Sequence, residues 1–365
     1  MTVEIKKYLN MNRNLEGYES YKNMPHEFRP YVMFVNCPNY SSDHINTDEL
    51  GFRKSTNKKG ENLSLKQVKQ KEQFCNVLVG GSSAFGMGAS SDTKTISSHL
   101  SKSGTYCQNF GVRGATSQQE LIIFQNFKRF LPKIKNVYIF SGVNDLVLAA
   151  EKSSFFYPEF GGIYSEDMRF NQFWSQYMSF SSEKWVLGKN KFFFIIDYLC
   201  KKFSAFKKIF AFLSYILPVR SVNRKDQCRK NISFEQKKNH LKEIIKNDFD
   251  CWKALSLKGN FKITYILQPG IGWVNKKLNE KERFIYENQR AYLGEKYFDK
   301  FMNREIYVEQ KNFFKEQCNN NEIDFVDANS IFNDFKHEKN LFLDLCHLTD
   351  EGNFFLANYL KEHHA

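Results

Sequence analysis

Residues 76–88 read Asn-Val-Leu-Val-Gly-Gly-Ser-Ser-Ala-Phe-Gly-Met-Gly, and this stretch decides the fold. The continuous apolar run Val77–Val79 is typical of a short buried strand. The strand stops abruptly at Gly80-Gly81, and Ser82 follows at once in a turn. Because open α/β sheets bind ligands beyond the carboxyl ends of their strands, the stretch predicts a hydroxyl group at a ligand-binding edge.

Three known glycine motifs do not fit this stretch. A P-loop needs lysine and then Ser or Thr after its last glycine, but Met87 follows Gly86. The dinucleotide motif G-x-G-x-x-G lacks its third glycine, because Ser91 stands there. The G-x-S-x-G elbow of α/β-hydrolases lacks its second glycine, because Ala84 stands there. A purely structural glycine turn remains open at this point.

Length and composition indicate a folded protein. The chain has 365 residues, of which 42% are hydrophobic and 16% aromatic, so it can bury a sizeable core. We find no apolar run of about 18 residues and no signal-peptide core at the N-terminus. The eight cysteines form no Cys-x-x-Cys pair, which favours free thiols over a zinc site or disulfides. We therefore expect a cytoplasmic protein, peripheral at the inner face of the membrane if it binds lipid.

Strands and helices alternate along the part of the chain that follows residue 75. We predict strands over residues 76–79, 106–110, 137–140, 263–267 and 323–326, a long helix over 234–257, a second long but broken helical stretch over about 278–317, and a final helix over 350–362. The helix after the second strand is predicted to start at a capping box formed by Ser117 and Glu120. This order indicates right-handed βαβ units, so the sequence predicts an α/β fold, a three-layer αβα sandwich around a mostly parallel sheet.

Two regions lie outside this alternation. Residues 1–74 are polar and irregular and are predicted to be an N-terminal extension. Residues 151–254 are predicted to be an aromatic and basic helical insertion between the two parts of the core, 75–150 and 255–365. Within it, residues 184–230 carry twelve basic and two acidic side chains. The insertion fits either a helical lid with solvated lysines or an element that docks on an anionic membrane surface or acidic glycan. No nucleic-acid module is recognisable, so we expect no nucleic-acid partner.

Groups suited to acyl transfer follow the first three predicted strands. Ser82 follows the first, Gly114 precedes the helix after the second, and Asn144 follows the third. Near the end of the chain, Asp344 and His347 are three residues apart. At that spacing a carboxylate can hold the imidazole Nδ1 and leave Nε2 to accept the proton of a serine. The combination predicts a Ser-His-Asp acyl-transfer site.

Each member of this set also has a structural alternative. An Asp-x-x-His pair arises readily by chance in a chain with eight histidines and forty acidic residues. Asn144 can act merely as a helix cap, and Gly114 can be present merely to allow a turn. Ser83, next to Ser82, is a competing nucleophile. Four such accidents in this order are much less frequent than any one of them, which favours the acyl-transfer site.

In these residues the chain resembles the SGNH, or GDSL-type, hydrolases. The resemblance rests on four blocks in the family's order: Gly80-Gly81-Ser82 with Gly86, Asn109-x-Gly111-x-x-Gly114, Gly142-x-Asn144-Asp145, and Asp344-x-x-His347. It covers roughly residues 75–150 and 255–365 and implies a flavodoxin-like sandwich. The chain departs from the family at one position, because the family's Gly-Asp-Ser is Gly80-Gly81-Ser82 here.

The resemblance implies roles for the residues of these blocks. Ser82 would be the nucleophile, His347 the base, and Asp344 the group that orients His347. The backbone N–H groups of Ser82 and Gly114 and the amide of Asn144 would form the oxyanion hole. The implied activity is a serine-dependent esterase or deacetylase acting on an O-acylated glycan or lipid-linked substrate, with no metal and no bound cofactor.

Two other functions fit the same blocks. The acyl group could pass to a sugar instead of water, which would make the protein an O-acetyltransferase that modifies a surface polysaccharide or its precursor, with acetyl-CoA as a candidate donor. The chain could also be an inactive hydrolase fold that serves as a scaffold and binds an acidic polymer or a membrane. Loss of function on substitution of Ser82 separates an enzyme from a scaffold.

Overall fold

The computed structural model describes residues 23–29, 32–102, 104–150, 232–335 and 339–364, together with Gly17 and Ser20. Residues 1–163 and 234–365 form one compact unit. The predicted insertion lies outside the described residues up to residue 231, and so does the whole basic segment 184–230. Most of the first 22 residues of the predicted N-terminal extension are outside them too.

The centre of the fold is a five-stranded sheet in which every pair of neighbours is parallel. The described strands are β1 His26–Arg29, β2 Met33–Asn36, β3 Ser55–Thr56, β4 Asn62–Leu63, β5 Phe74–Gly80, β6 Tyr106–Gly111, β7 Lys133–Ser141, β8 Lys262–Leu267 and β9 Asp324–Asp327. The central sheet has the order β6-β5-β7-β8-β9, and two short antiparallel pairs, β1-β2 and β3-β4, precede it. Numbered within the sheet, this order is 2-1-3-4-5, that of flavodoxin-like doubly wound folds.

Helices cover both faces of the sheet. The described helices are α1 Leu65–Lys71, α2 Ser82–Phe85, α3 Ile96–Ser101, α4 Ser117–Phe127, α5 Asn144–Ala150, α6 Phe234–Gly259, α7 Glu280–Leu293, α8 Glu295–Phe298, α9 Arg304–Asn321, α10 Ala328–Asn333 and α11 Asp350–His364. Val77 and Val79 belong to one buried cluster with residues of α4, α6 and α9, and Leu78 belongs to another with residues of α3 and α11. Because successive strand residues face opposite layers, this alternation confirms the predicted three-layer α/β fold. Among the described helices, none is long and apolar enough to cross a membrane.

The start of α4 differs from the prediction. Its N-cap is Thr116, and the capping box pairs Thr116 with Gln119 instead of Ser117 with Glu120. The hydroxyls of Thr116 and Ser117 suit the cap equally, and tertiary contacts decide between them. The Ser117 hydroxyl donates to Asp145, and Glu120 accepts a hydrogen bond of 2.9 Å from Ser141.

A buried arginine ties the N-terminal region to the turn after β5. The guanidinium of Arg53 donates to the Asp92 carboxylate at 2.7 Å, the Gly86 carbonyl at 2.7 Å and the His44 carbonyl at 2.6 Å. Arg53 is fully buried and Asp92 nearly so. Since Gly86 ends α2 in the left-handed conformation, Arg53 holds the far end of the helix that begins with Ser82.

We predict that Arg53→Met lowers the free energy of unfolding by about 3–5 kcal/mol, because it leaves the Asp92 carboxylate buried without its cation. Lys71→Met is the matched control, since it breaks the exposed pair of Lys71 with Glu61, and we expect it to cost less than about 1 kcal/mol. Denaturant unfolding measures both. Equal stability of the two variants would contradict the role given to Arg53.

Candidate active site

Ser82, the predicted nucleophile, lies just beyond the end of β5. β5 ends at Gly80, Gly81 is the N-cap of α2, and Ser82 is the first residue of that helix. Gly80 has φ +155°, and a Cβ there would collide with the Phe140 carbonyl. A Cβ on Gly81 would collide with the side-chain amide nitrogen of Asn144. The turn therefore needs glycine at both positions before Ser82.

Ser82, His347 and Asp344 form a continuous hydrogen-bonded chain. Ser82 Oγ lies 2.7 Å from His347 Nε2, and His347 Nδ1 lies 2.6 Å from Asp344 Oδ2. Asp344 Oδ1 also accepts the backbone N–H groups of Cys346 at 3.0 Å and His347 at 2.9 Å. With Asp344 ionised, Nδ1 carries the proton given to Oδ2, which leaves Nε2 free to accept the Ser82 hydroxyl.

The surroundings of Asp344 favour its ionised form. Burial alone would raise the pKa of Asp344, but the charge and hydrogen bond of the His347 ring and the two backbone donors together lower it below its ordinary value. The carboxylate is thus available at neutral pH to orient the imidazole and to stabilise an imidazolium ion.

The predicted oxyanion-hole residues lie beside this chain. Asn144 starts α5, and its Nδ2 donates to the Ala115 carbonyl at 2.7 Å. An amide nitrogen carries two hydrogens, and the second has no partner among the described residues. Gly114 turns the chain just before α4 with φ +65°. Asp145 accepts the Ser117 backbone N–H at 3.2 Å, which fastens the Gly114 turn to the start of α5.

The competing nucleophile, Ser83, points elsewhere. Its hydroxyl donates to the Cys346 carbonyl at 3.1 Å and accepts the Gln268 Nε2–H at 2.6 Å. The imidazole of His347 contacts Ser82 instead. Sequence reasoning missed Gln268, although it directly follows the fourth strand of the sheet, in the same place as the polar groups after the first three strands.

The described residues include one set of three side chains that could hold a metal ion, and it overlaps this site. Ligand atoms of Asp344, Cys346 and His347 lie within 4.8 Å of one another. However, both Asp344 oxygens and both imidazole nitrogens already make hydrogen bonds. Burial and the Asp344 charge also raise the pKa of the Cys346 thiol, which disfavours the thiolate that metals bind. The set fits a hydrogen-bonded relay better than a metal centre.

Three buried carboxyl groups, those of Asp145, Glu120 and Asp248, lie near the predicted oxyanion-hole residues. Burial raises the pKa of Asp145 to about 6, and burial and the charge of Asp145 raise the pKa of Glu120 well above its ordinary value. Asp248, on α6, is 1% exposed, and neither of its oxygens has a hydrogen-bond partner among the described residues. The Ser117 hydroxyl lies near Asp248 and by itself would lower the pKa of that carboxyl group. Its hydrogen bond, however, goes to Asp145. Burial and the charge of Asp145 outweigh the effect of Ser117 and raise the pKa of Asp248 to about 7.

We predict that Asp248→Asn stabilises the protein at alkaline pH. The pKa of Asp248 rises from an ordinary 3.8 to about 7 in the folded state, so the folded state holds this proton more tightly than the unfolded chain. The wild type should therefore lose stability between about pH 4 and pH 7, and the neutral amide avoids a loss of at most about 4 kcal/mol.

The measurement is denaturant unfolding of both proteins from pH 4 to pH 9. The gain from Asp248→Asn should be small at pH 4, grow up to about pH 7 and then level off. Asp250→Asn, which replaces an exposed carboxylate on the same helix, is the control, and its effect on stability should not match that of Asp248→Asn. A gain that is independent of pH would contradict the account of Asp248.

The chain was compared with known proteins. No family model matches it, and no curated protein matches it. Similar solved structures include an acetyl xylan esterase at 11% identity and TM-score 0.38. The match covers 80% of this chain and 99% of the esterase chain. Another is a member of the lipolytic G-D-S-L family from Veillonella parvula, at 10% identity and TM-score 0.39, covering 80% and 98%. A third is a catalytic mutant of an acetylxylan esterase from Geobacillus stearothermophilus, at 12% identity and TM-score 0.36, covering 80% and 95%.

Several of these similar structures are GDSL-type lipases or acetylxylan esterases.

Proposed function

We propose that this protein is a serine-dependent acyl ester hydrolase in which Ser82 is the nucleophile, His347 the general base and Asp344 the group that orients the base. The observation that carries the proposal is the pair of short contacts, 2.7 Å from Ser82 Oγ to His347 Nε2 and 2.6 Å from His347 Nδ1 to Asp344 Oδ2. This is the order of groups that activates a serine hydroxyl for attack on a carbonyl.

The reaction would proceed in two halves. His347 Nε2 takes the hydroxyl proton while Ser82 Oγ attacks the ester carbonyl carbon, and Asp344 stabilises the resulting imidazolium. The negative oxygen is held by the backbone N–H groups of Ser82 and Gly114 and by the second amide hydrogen of Asn144. His347 then gives its proton to the leaving alcohol, and an acyl-enzyme remains. In the second half, His347 takes a proton from a water molecule whose oxygen attacks the acyl carbon, and then returns that proton to Ser82 Oγ as the acid leaves.

The proposed substrate is an O-acylated glycan or a lipid-linked ester. Transfer of the acyl group to a sugar hydroxyl would use the same acyl-enzyme and differ only in the hydroxyl that attacks it. Assays with and without an added sugar acceptor distinguish the two, because transfer consumes the acceptor whereas hydrolysis releases free acid. The complete hydrogen-bonded chain from Ser82 to Asp344 supports an enzyme over an inactive scaffold.

We predict that Ser82→Ala abolishes hydrolysis of p-nitrophenyl acetate, with a loss of at least about 10³-fold in kcat, because the covalent step has no nucleophile. Ser330→Ala, which removes a hydroxyl on α10, is the control and should keep wild-type activity. A Ser82→Ala variant that retains a tenth of the wild-type kcat would overturn the assignment of the nucleophile.

We predict that Asn144→Ala lowers kcat by about 10²- to 10³-fold while the protein stays folded, because one oxyanion donor is lost. The control is Asn358→Ala, whose amide contacts Lys361 on α11. Steady-state kinetics and circular dichroism check both variants. A folded Asn144→Ala variant with nearly full activity would show that the Asn144 amide does not bind the oxyanion.

A further inference from the structure

Gln268 lies just beyond the end of a strand of the central sheet, as Ser82 and Asn144 do. It directly follows β8, at the carboxyl edge, and is 3% exposed. Its backbone N–H donates to the Ser141 carbonyl at 2.9 Å, and its carbonyl accepts the Asn329 amide at 3.3 Å. Contacts on both sides of β8 therefore fix the position from which its side chain extends.

The side chain of Gln268 completes a triangle of hydrogen bonds. Nε2 donates to Ser83 Oγ at 2.6 Å and to the Cys346 carbonyl at 3.3 Å, and Ser83 Oγ donates to the same carbonyl at 3.1 Å. The donors and acceptors balance, because the amide nitrogen gives two hydrogens, the hydroxyl gives one and accepts one, and the carbonyl accepts two. All three groups are thus satisfied in a buried place.

The triangle connects a chain neighbour of Ser82 with a chain neighbour of His347. Ser83 is the neighbour of Ser82 in the chain, and Cys346 is the neighbour of His347. Among the described residues, the backbone–backbone hydrogen bonds of this loop, such as Ile271 N–H to the Leu345 carbonyl at 2.8 Å, do not reach the turn of Ser82. The Gln268 side chain therefore spans the turn that carries the nucleophile and the loop that carries the base.

We propose that Gln268 is a positioning residue for the reaction: by holding the Cys346 carbonyl against Ser83, it keeps His347 Nε2 within hydrogen-bond distance of Ser82 Oγ. The inference rests on the proposed function, since it gives Gln268 a part in that same reaction. Misplacement of reacting groups by about 1 Å can cost on the order of 10²-fold in rate. A role limited to satisfying buried polar groups would instead lower stability and leave the chemistry unchanged.

The test compares Gln268→Met, which keeps the length of the side chain and removes its amide, with Gln310→Met, which removes a buried amide on α9. Four quantities are measured for each: kcat and KM with p-nitrophenyl acetate, the rate of labelling of Ser82 by a fluorophosphonate, and the melting temperature. The fluorophosphonate needs only an activated serine, since Ser82 Oγ forms a bond to phosphorus, fluoride leaves and His347 takes the proton.

For Gln268→Met we expect kcat and the labelling rate to fall together by about 10- to 100-fold, while KM changes by less than about twofold. Gln310→Met should match the wild type in both rates, even if its melting temperature falls. Wild-type rates for Gln268→Met, or equal losses in both variants, would overturn the role of Gln268.

Ser83→Ala provides the same test if Gln268→Met does not fold. It removes one of the two hydrogen bonds to the Cys346 carbonyl, so we expect a smaller fall, about 3- to 10-fold, again in kcat and not in KM. Unchanged rates in Ser83→Ala would then overturn the inference. If the wild type reacts with neither reagent, the proposed function itself fails, whereas a reactive wild type with an equally reactive Gln268→Met overturns the role of Gln268 alone.

Discussion

The hydrogen bond between Ser82 and His347 joins residues that are 265 positions apart in the chain, and the arrangement of the site depends on it. Bringing such distant segments together costs chain entropy that the buried core must offset. The parallel sheet places the turn after β5 at the same edge as the ends of β7 and β8, and the loop before α11 lies across that edge. The folded sheet thus brings two groups that are far apart in sequence to within 2.7 Å of each other.

The turn of Ser82 is held from several directions. Arg53 holds the Gly86 carbonyl at one end of α2, and Asn109 Nδ2 donates to the Ala84 carbonyl at 2.9 Å. At the other end, the Asn144 amide lies where a side chain on Gly81 would begin. In this arrangement a side chain at position 81 and the amide of Asn144 would compete for the same space, so the turn needs glycine there.

Much of the fold and the residues of the proposed site could be predicted because local patterns in the sequence mark them. Apolar runs marked the five strands of the sheet, and small residues after Val79 marked the turn of Ser82. Contacts between residues distant in sequence could not be predicted in this way, as for Asp248, whose burial beside Asp145 depends on the packing of α6. The capping box of α4 shows the limit within a local pattern, because Thr116 with Gln119 and Ser117 with Glu120 fit it equally. Contacts of Ser117 with Asp145 and of Glu120 with Ser141 decided between them.

The most direct test of the central claim is the mass of the intact protein after brief reaction with p-nitrophenyl acetate and quenching in acid, followed by mapping of the modified peptide. The account predicts one acetyl group on Ser82 in the wild type and none in a His347→Ala variant, because Ser82 Oγ would lack its base. Hydrolysis without any covalent adduct, or an adduct on Ser83 instead of Ser82, would contradict the proposed role of the hydrogen-bonded chain of Ser82, His347 and Asp344.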